Sequence, residues 1–177
     1  LFDGVAGPIV YASPEQVNVV APYGLAGKST TSIAVEYQGV AKTAFIQGVT
    51  PAAPGIVGNG SGHAVVLNED GSFNGPERPA KRGSVIVFYA TGEGATAPDG
   101  VDGRVAVAPL AKPMQSVQVR IGGKPAEVQF AGNAPGFVAG AMQVNVKVPE
   151  DAPTGDVSLY LIVGTVSSPA PSLIRVQ

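Results

Sequence analysis

The 177-residue sequence contains no cysteine and no tryptophan. Without cysteine there can be no disulfide bond, no thiolate nucleophile and no cysteine-ligated zinc, so the hydrophobic core must hold the fold together. Charged residues are scarce as well, at 14% of the chain, and the formal net charge is only −2. Because proteins that bind nucleic acids need a basic surface to displace phosphate counterions, we expect no nucleic-acid partner.

Long apolar runs are absent too. None approaches the roughly 18–20 residues that a helix needs to cross a bilayer, so we expect no membrane span. The chain opens with Leu-Phe-Asp-Gly and shows no basic segment ahead of an apolar one, as a signal peptide would. A mature secreted chain and a fragment excised from a longer protein would both have such a start.

Stretches free of glycine and proline are short, because 24 glycines and 16 prolines are spread along the chain. The longest spans residues 28–38 and is rich in serine, threonine, valine and isoleucine. Glycine and proline cost about 1 and 3 kcal/mol inside a helix, and helices average about 11 residues against about 5 for strands. The sequence therefore predicts an all-β protein.

Alternation of apolar and polar residues predicts the individual strands. It is clearest at residues 117–121, 142–148 and 157–163, where every second side chain is apolar. This pattern is typical of antiparallel strands with one face in a core and the other in water. Residues 84–90 are apolar on both faces, which predicts a central strand or one packed against a neighbouring module. Asp-Gly and Gly-Gly turns separate the strands, so we expect a sandwich or a barrel.

The chain also contains an internal repeat. The segment Gln-Val-Asn-Val-Val-Ala-Pro at residues 16–22 returns as Gln-Val-Asn-Val-Lys-Val-Pro at residues 143–149. Self-similarity of this kind predicts two copies of one β-unit. Further matching segments flank the two copies, upstream at residues 9–12 and 128–131 and downstream at residues 32–35 and 158–161.

The two copies differ in what precedes them. The second follows predicted strands at residues 84–90 and 117–121, whereas the first begins at Gly4, the equivalent of Gly123, with no strand before it. A sandwich without those strands has open edges and a bare core. Two interpretations stay open: the chain is a fragment, or another chain or another segment of this one supplies the strands by β-strand addition. Head-to-tail donation between copies would build a filament, so self-association through the open edges is the predicted partnership.

We therefore predict tandem immunoglobulin-like β-sandwiches, the first lacking its N-terminal strands. Residues 1–75 form an incomplete immunoglobulin-like module plus a connecting hairpin around residues 69–71, and residues 76–177 form the second module. Because residues 53–74 could pair with either sheet, the boundary could fall anywhere from residue 50 to residue 82.

We predict no catalytic, cofactor-binding or metal-ligating residue, and so no enzyme. His63 is the only histidine, and no Gly-x-Ser-x-Gly motif or other element places a serine beside it, which favours a structural residue at a strand edge. The acidic loops at residues 68–72 and 99–103 offer oxygen atoms suited to calcium, but they lack EF-hand spacing and contain Asp-Gly, the common hairpin turn. We interpret both as turns.

Three further polar segments have similarly plain interpretations. Residues 92–94 (Gly-Glu-Gly) lack the spacing of a dinucleotide-binding loop, and no helix follows them. The charged residues 77–82 are typical of a solvated linker. The Gln16/Asn18 and Gln143/Asn145 pairs are predicted on the solvent face of each repeat's strand, with contact to a sugar or a protein as the alternative.

Several motifs together resemble a known family: Tyr-Ala-Ser-Pro-Glu-Gln-Val-Asn-Val-Val-Ala-Pro-Tyr (11–23), Ala-Pro-Gly-Ile (53–56), Asn-Glu-Asp-Gly-Ser-Phe-Asn (68–74), Pro-Ala-Lys-Arg-Gly-Ser (79–84), Tyr-Ala-Thr-Gly-Glu-Gly (89–94), Ile-Gly-Gly (121–123), Ala-Gly-Asn-Ala-Pro-Gly (131–136) and Gln-Val-Asn-Val (143–146). Across nearly its whole length the chain resembles the C-terminal domain family that recurs in large secreted proteins of Acidobacteria, notably Solibacter. The second module also resembles an IPT/TIG-type immunoglobulin-like domain.

This resemblance implies an extracellular immunoglobulin-like module, appended to larger proteins and without established activity. The family's usual opening strand would precede Leu1. We therefore expect a non-catalytic extracellular structural module, a bacterial cell-surface or fibre-forming component that spaces, displays or self-associates. The alternative is a carbohydrate- or protein-binding accessory domain of a larger secreted protein, although a chain with no tryptophan and five tyrosines has little for stacking on sugars.

Overall fold

The computed structural model describes residues 1–177. Strands contain 47% of the residues, and the only helical element is a 3-10 turn at Tyr23–Leu25, so the predicted all-β class is confirmed. No helix in the structure has the length and apolar character that crossing a lipid bilayer requires.

Seventeen strands are present. Those within residues 1–48 are β1 (Ile9–Ala12), β2 (Val17–Val19), β3 (Thr30–Ile33), β4 (Glu36–Tyr37), β5 (Val40–Ala41) and β6 (Phe45–Gly48). The remainder are β7 (Gly55–Ile56), β8 (Val66–Leu67), β9 (Val85–Thr91), β10 (Thr96–Ala97), β11 (Lys112–Pro113), β12 (Val117–Ile121), β13 (Lys124–Asn133), β14 (Ala141–Lys147), β15 (Gly155–Val163), β16 (Val166–Ser167) and β17 (Ser172–Val176).

A nine-stranded antiparallel sheet dominates the structure and curls into a half-barrel. Its main order is β16-β15-β12-β13-β14-β9-β7, with β17 paired to β15 and β8 paired to β9. The alternation seen in the sequence builds its core, because the side chains of Met142, Val144 and Val146 are fully buried while Gln143 and Asn145 are only half-buried. All 20 residues of this core lie between positions 52 and 176.

The segment at residues 53–74 joins the large sheet. Both β7 and β8 pair with β9, whose other edge pairs with β14, so residues 84–90 supply a strand with neighbours on both sides. Pairing on both sides, with burial of every second residue, accounts for the nearly continuous apolar run. The division into two immunoglobulin-like sandwiches at residues 75 and 76 stays a prediction.

Residues 1–48 form three separate two-stranded sheets, β1-β2, β3-β6 and β4-β5, and are called the first half below. The large sheet, with the loops that join its strands, is called the second half. Phe2, Leu25 and Thr31 are among the few buried side chains there, and most apolar side chains of these strands face solvent. The strands of the first half lack the neighbouring strands that the large sheet supplies, although the repeated segments are similar in sequence in both halves.

The internal repeat is present in the backbone pairing. Ile9 pairs with Val19 in the β1-β2 hairpin as Val128 pairs with Val146 in the β13-β14 hairpin. Each hairpin has a register shift, the signature of a β-bulge, immediately after that pair. The β4-β5 hairpin is paired in the same way as the β15-β16 hairpin. In each, two successive residue pairs join the strands across a tight turn.

One strand accounts for much of the difference between the halves. In the large sheet β12 lies between β13 and β15, and its last residue, Ile121, pairs with Leu159. In the first half only Phe2 takes the equivalent place, in an isolated bridge to Ile33. Because no strand extends from that position to link β1 with β3, the two sheets stay apart.

Exposure at equivalent positions follows from these missing neighbours. Val17 and Val19 are 42% and 38% exposed, whereas their counterparts Val144 and Val146 are fully buried. The residues have the same type and the same hairpin register, so only the covering strands differ.

This difference predicts unequal effects of the same mutation. Val144→Ala should lower the free energy of unfolding by about 2 kcal/mol, because it removes two fully buried methyl groups. Val17→Ala should cost less than about 1 kcal/mol, since that side chain is already partly in water. Urea unfolding at low protein concentration measures both, and equal losses would contradict the exposure of Val17.

Candidate functional site

A cleft of about 780 Å³ lies between the first half and the large sheet. Its apolar wall comes mainly from the first half and the segment that follows it, and its opposite wall includes the loop after β9 and the loop before β12. Residues that line it include Val19, Leu25 and Val49 on the first side and Glu93, Met114 and Gly140 on the second.

Tyr23 ties the first half to the second. Its backbone N–H donates to Asp102 Oδ1 at 2.9 Å, and its hydroxyl donates to Glu93 Oε1 at 2.8 Å. The ring lies directly over Gly100, where any Cβ would overlap it. The 3-10 turn that carries Tyr23 is closed by the Leu25 N–H, which donates to Pro22 O at 3.1 Å. Three independent contacts therefore fix this one side chain and its backbone.

Glu93 is the buried charge-bearing residue of the site, with only 2% of its surface exposed. With the Asn133 amide oriented so that its nitrogen faces Glu93, that nitrogen also donates to Glu93 Oε1 at 2.8 Å and to Oε2 at 3.2 Å. Burial raises the pKa of Glu93, and the Tyr23 hydrogen bond opposes part of that rise. Burial and the neighbouring Glu93 carboxylate also raise the pKa of Tyr23, so its hydroxyl stays protonated and continues to donate.

The glycines on either side of Glu93 allow close backbone approach. Gly92 and Gly94 have φ angles of 78° and 75°, and a Cβ on them would overlap the carbonyl oxygens of Ala53 and Pro51 respectively. The Ala53 N–H donates to Gly92 O at 3.0 Å. The Gly-Glu-Gly segment therefore clamps the connection between the halves, a role quite different from that of a nucleotide-binding loop.

The predicted structural role of His63 is compatible with its contacts. Its Nε2 lies 3.7 Å from Asp156 Oδ1, and the same oxygen lies 3.2 Å from a guanidinium nitrogen of Arg175. His63 also bridges to Leu173 in parallel fashion at the side of the large sheet.

The two acidic loops use their oxygens within the fold. Asp70 Oδ1 accepts from the Ser72 N–H at 2.9 Å and from the Ser72 hydroxyl at 2.6 Å, and these bonds lower the pKa of Asp70. In the other loop, Asp102 accepts the Tyr23 N–H. No group of three or more histidine, aspartate or glutamate side chains is arranged to hold a metal ion.

The remaining polar candidates also have local partners. Gln16 Nε2 donates to Asn18 Oδ1 at 2.6 Å, and the equivalent bond from Gln143 to Asn145 is 2.8 Å. The pairs thus satisfy each other in both repeats. In the charged segment at residues 77–82, Arg82 Nε donates to a backbone carbonyl at 2.7 Å.

Sequence reasoning assigned no role to Tyr23 or Asn133. Tyr23 is separated by 70 residues from Glu93 and by 79 from Asp102, so no local pattern connects them. The one available signal was a carboxylate between two glycines after an apolar strand, a combination that calls for a partner once the segment is buried.

Replacement of Gly92 should break the contact between the halves. Gly92→Ala combines a positive φ with overlap of the Ala53 carbonyl, so we expect a loss of about 3 kcal/mol or more in the free energy of unfolding. Gly60→Ala is the matched control, because Gly60 has a φ of 83° but no atom near the added Cβ. It should cost only about 1 kcal/mol of backbone strain in urea unfolding. Equal losses would show that Gly92 makes no close contact.

Glu93 should make stability depend on pH. Because its folded pKa lies above its ordinary value of 4.5, the folded state binds this proton more tightly than the unfolded state. The group's contribution is therefore fully present below pH 4.5 and is lost as pH rises through the raised pKa.

Glu93→Gln removes this titration while its amide can still bond to Tyr23 and Asn133. Urea unfolding at a series of pH values should show the variant gaining stability relative to the unmodified protein above pH 4.5 and then levelling off. The exposed Glu77→Gln serves as control. A pH-independent gap between Glu93→Gln and the parent protein would contradict the burial of an ionising carboxyl.

Comparison of the chain with protein-family models, with curated proteins and with solved structures found no match.

Proposed function

We propose that the chain is a non-catalytic structural module of a bacterial cell surface or fibre, which associates with other copies by β-strand addition at the open edges of its first half. One observation carries this proposal. Valines that are buried in the second repeat are exposed at the equivalent positions of the first repeat, although the hairpins share their register.

The exposed surface is large enough to drive association. Ile9, Val35 and Phe45 are 65%, 53% and 56% exposed, and the two-stranded sheets beside them have unpaired edges. Full burial of one such side chain is worth about 1.5–3 kcal/mol. The free energy gained by burying several of them, together with that of new backbone hydrogen bonds, can exceed the entropic cost of association, which is at least about 4 kcal/mol.

The resemblance to secreted proteins of Acidobacteria supports an extracellular location for the module. The unpaired strand edges and the buried apolar core are the most extensive features of the structure, which supports a structural role. The buried Glu93 carboxylate bonds to both Tyr23 and Asn133, so this polar group holds the halves together.

The cleft favours a second candidate function, an accessory domain that binds a protein or a carbohydrate. Its lining is mostly apolar, which suits an extended peptide. A sugar would have to stack on an aromatic ring, and the only one in the lining, Tyr23, already has Gly100 packed against its face. The peptide is therefore the better fit of the two.

Sedimentation velocity over a wide concentration range tests the proposed self-association. The unmodified chain should form larger species as concentration rises, and ordered fibres should be visible by negative-stain electron microscopy. The double variant Val17→Lys/Val35→Lys places charges on the open edges and should weaken association at least tenfold, since edge lysines block strand addition.

Phe73→Lys is the control, because Phe73 is 69% exposed but lies outside the first half. It should assemble as the parent does, and circular dichroism should show all three proteins folded. A folded monomer at every concentration, or undiminished assembly of the double variant, would overturn the proposal.

A further inference from the structure

The outer edge of β2 is open, and its backbone groups point outward in a defined pattern. The Val20 N–H donates to Pro8 O at 2.9 Å, and Gln16 O accepts from the Ser13 N–H at 2.8 Å, both toward β1. Backbone groups of successive strand residues point to opposite sides. The N–H and C=O of Val17 and Val19 therefore point away from β1, toward the unpaired edge.

The second repeat shows the same edge occupied. There β14 pairs antiparallel with β9, so that Val144 lies opposite Phe88 and Val146 opposite Ile86. The Val148 N–H donates to Ser84 O at 2.9 Å, which places the backbone groups of alternate β14 residues, Val144 and Val146 included, on the β9 side. These are the counterparts of Val17 and Val19, whose outward backbone groups therefore have the orientation that receives a strand.

The edge of β2 carries none of the features that normally prevent unwanted pairing. Residues 16–21 contain no charge and no proline, and the register shift of this hairpin lies in β1. The outer edge of β1, by contrast, is preceded by Pro8 and interrupted by that shift. The cleft runs beside β2, with residues 18–22 in its lining, so there is space for an added chain.

We propose that β2 is an acceptor for one antiparallel β-strand of another polypeptide, with the side chains that β9 presents to β14: aliphatic opposite Val19 and aromatic opposite Val17. This inference rests on the proposed strand addition and deepens it, because it names the edge, the direction and the side-chain pattern of the accepted strand. Val17 and Val19 would then become covered as Val144 and Val146 are.

A peptide of residues 84–91, with two lysines added for solubility, serves as the probe. Amide hydrogen exchange of the ¹⁵N-labelled full chain is followed by NMR, below the concentration at which the chain self-associates. With the peptide at roughly nine times its Kd, exchange at the Val17 and Val19 amides should slow about tenfold. The Asn18 and Val20 amides, which point toward β1, should change by less than twofold.

Two controls make the result specific. A scrambled peptide of the same composition should leave all amides unchanged, and Val17→Lys should abolish the protection while Phe73→Lys retains it. Protection without the alternation, protection centred on residues 33–37, or equal binding to Val17→Lys would overturn the assignment of β2 as the acceptor.

The outcomes separate this inference from the proposed self-association. A chain that forms fibres in sedimentation yet ignores the peptide would overturn the inference and leave self-association standing. A chain that stays monomeric but shows the alternating protection would support the acceptor and contradict self-association.

Discussion

A half-apolar β-strand needs two things at once, a hydrogen-bonding neighbour on each edge and a cover for its apolar face. In the large sheet β13 and β9 pair with the two edges of β14, and the alternating apolar residues of β14 are fully buried in the core. In the first half no strand of residues 1–177 takes the place of β9, and the same Gln-Val-Asn-Val sequence lies in solvent. Pairing between strands, more than the apolar content of each strand, thus determines where this protein has a core.

The first half nevertheless keeps a defined arrangement, because it is attached at a few well-bonded points. Tyr23 reaches Asp102 and Glu93, and the glycines around Glu93 admit residues 51–53 to close contact. These contacts are polar and backbone-directed. They hold the β1-β2 hairpin beside the large sheet but do not cover the apolar face of the hairpin, which is why the cleft remains beside β2.

The all-β class, the central strand at β9 and the repeat could all be predicted, because each rests on a local pattern or on a direct match of residues. The alternation at residues 117–121 corresponds to β12, and the repeat extends to a shared irregularity of register. The attachment of residues 53–74 to the large sheet could not be predicted, since two-residue strands such as β7 carry too little pattern to choose a neighbour. The Tyr23–Glu93–Asn133 cluster was unpredictable for a related reason: hydrogen bonds across 70 residues depend on how the halves dock.

The shared register of the two hairpins has a consequence for synthesis on the ribosome. A chain emerges from its N-terminus, so β2 is available before β9, and β9 before β14. Until β14 is synthesised, the first half contains the only Gln-Val-Asn-Val strand in the emerged chain. The segment between the two strands runs from the end of β2 at Val19 to the start of β9 at Val85. β14, which is synthesised later, pairs with β9 at seven positions, whereas β2 has only three residues. The order of synthesis therefore offers β9 two Gln-Val-Asn-Val strands in succession, of which β14 is the longer.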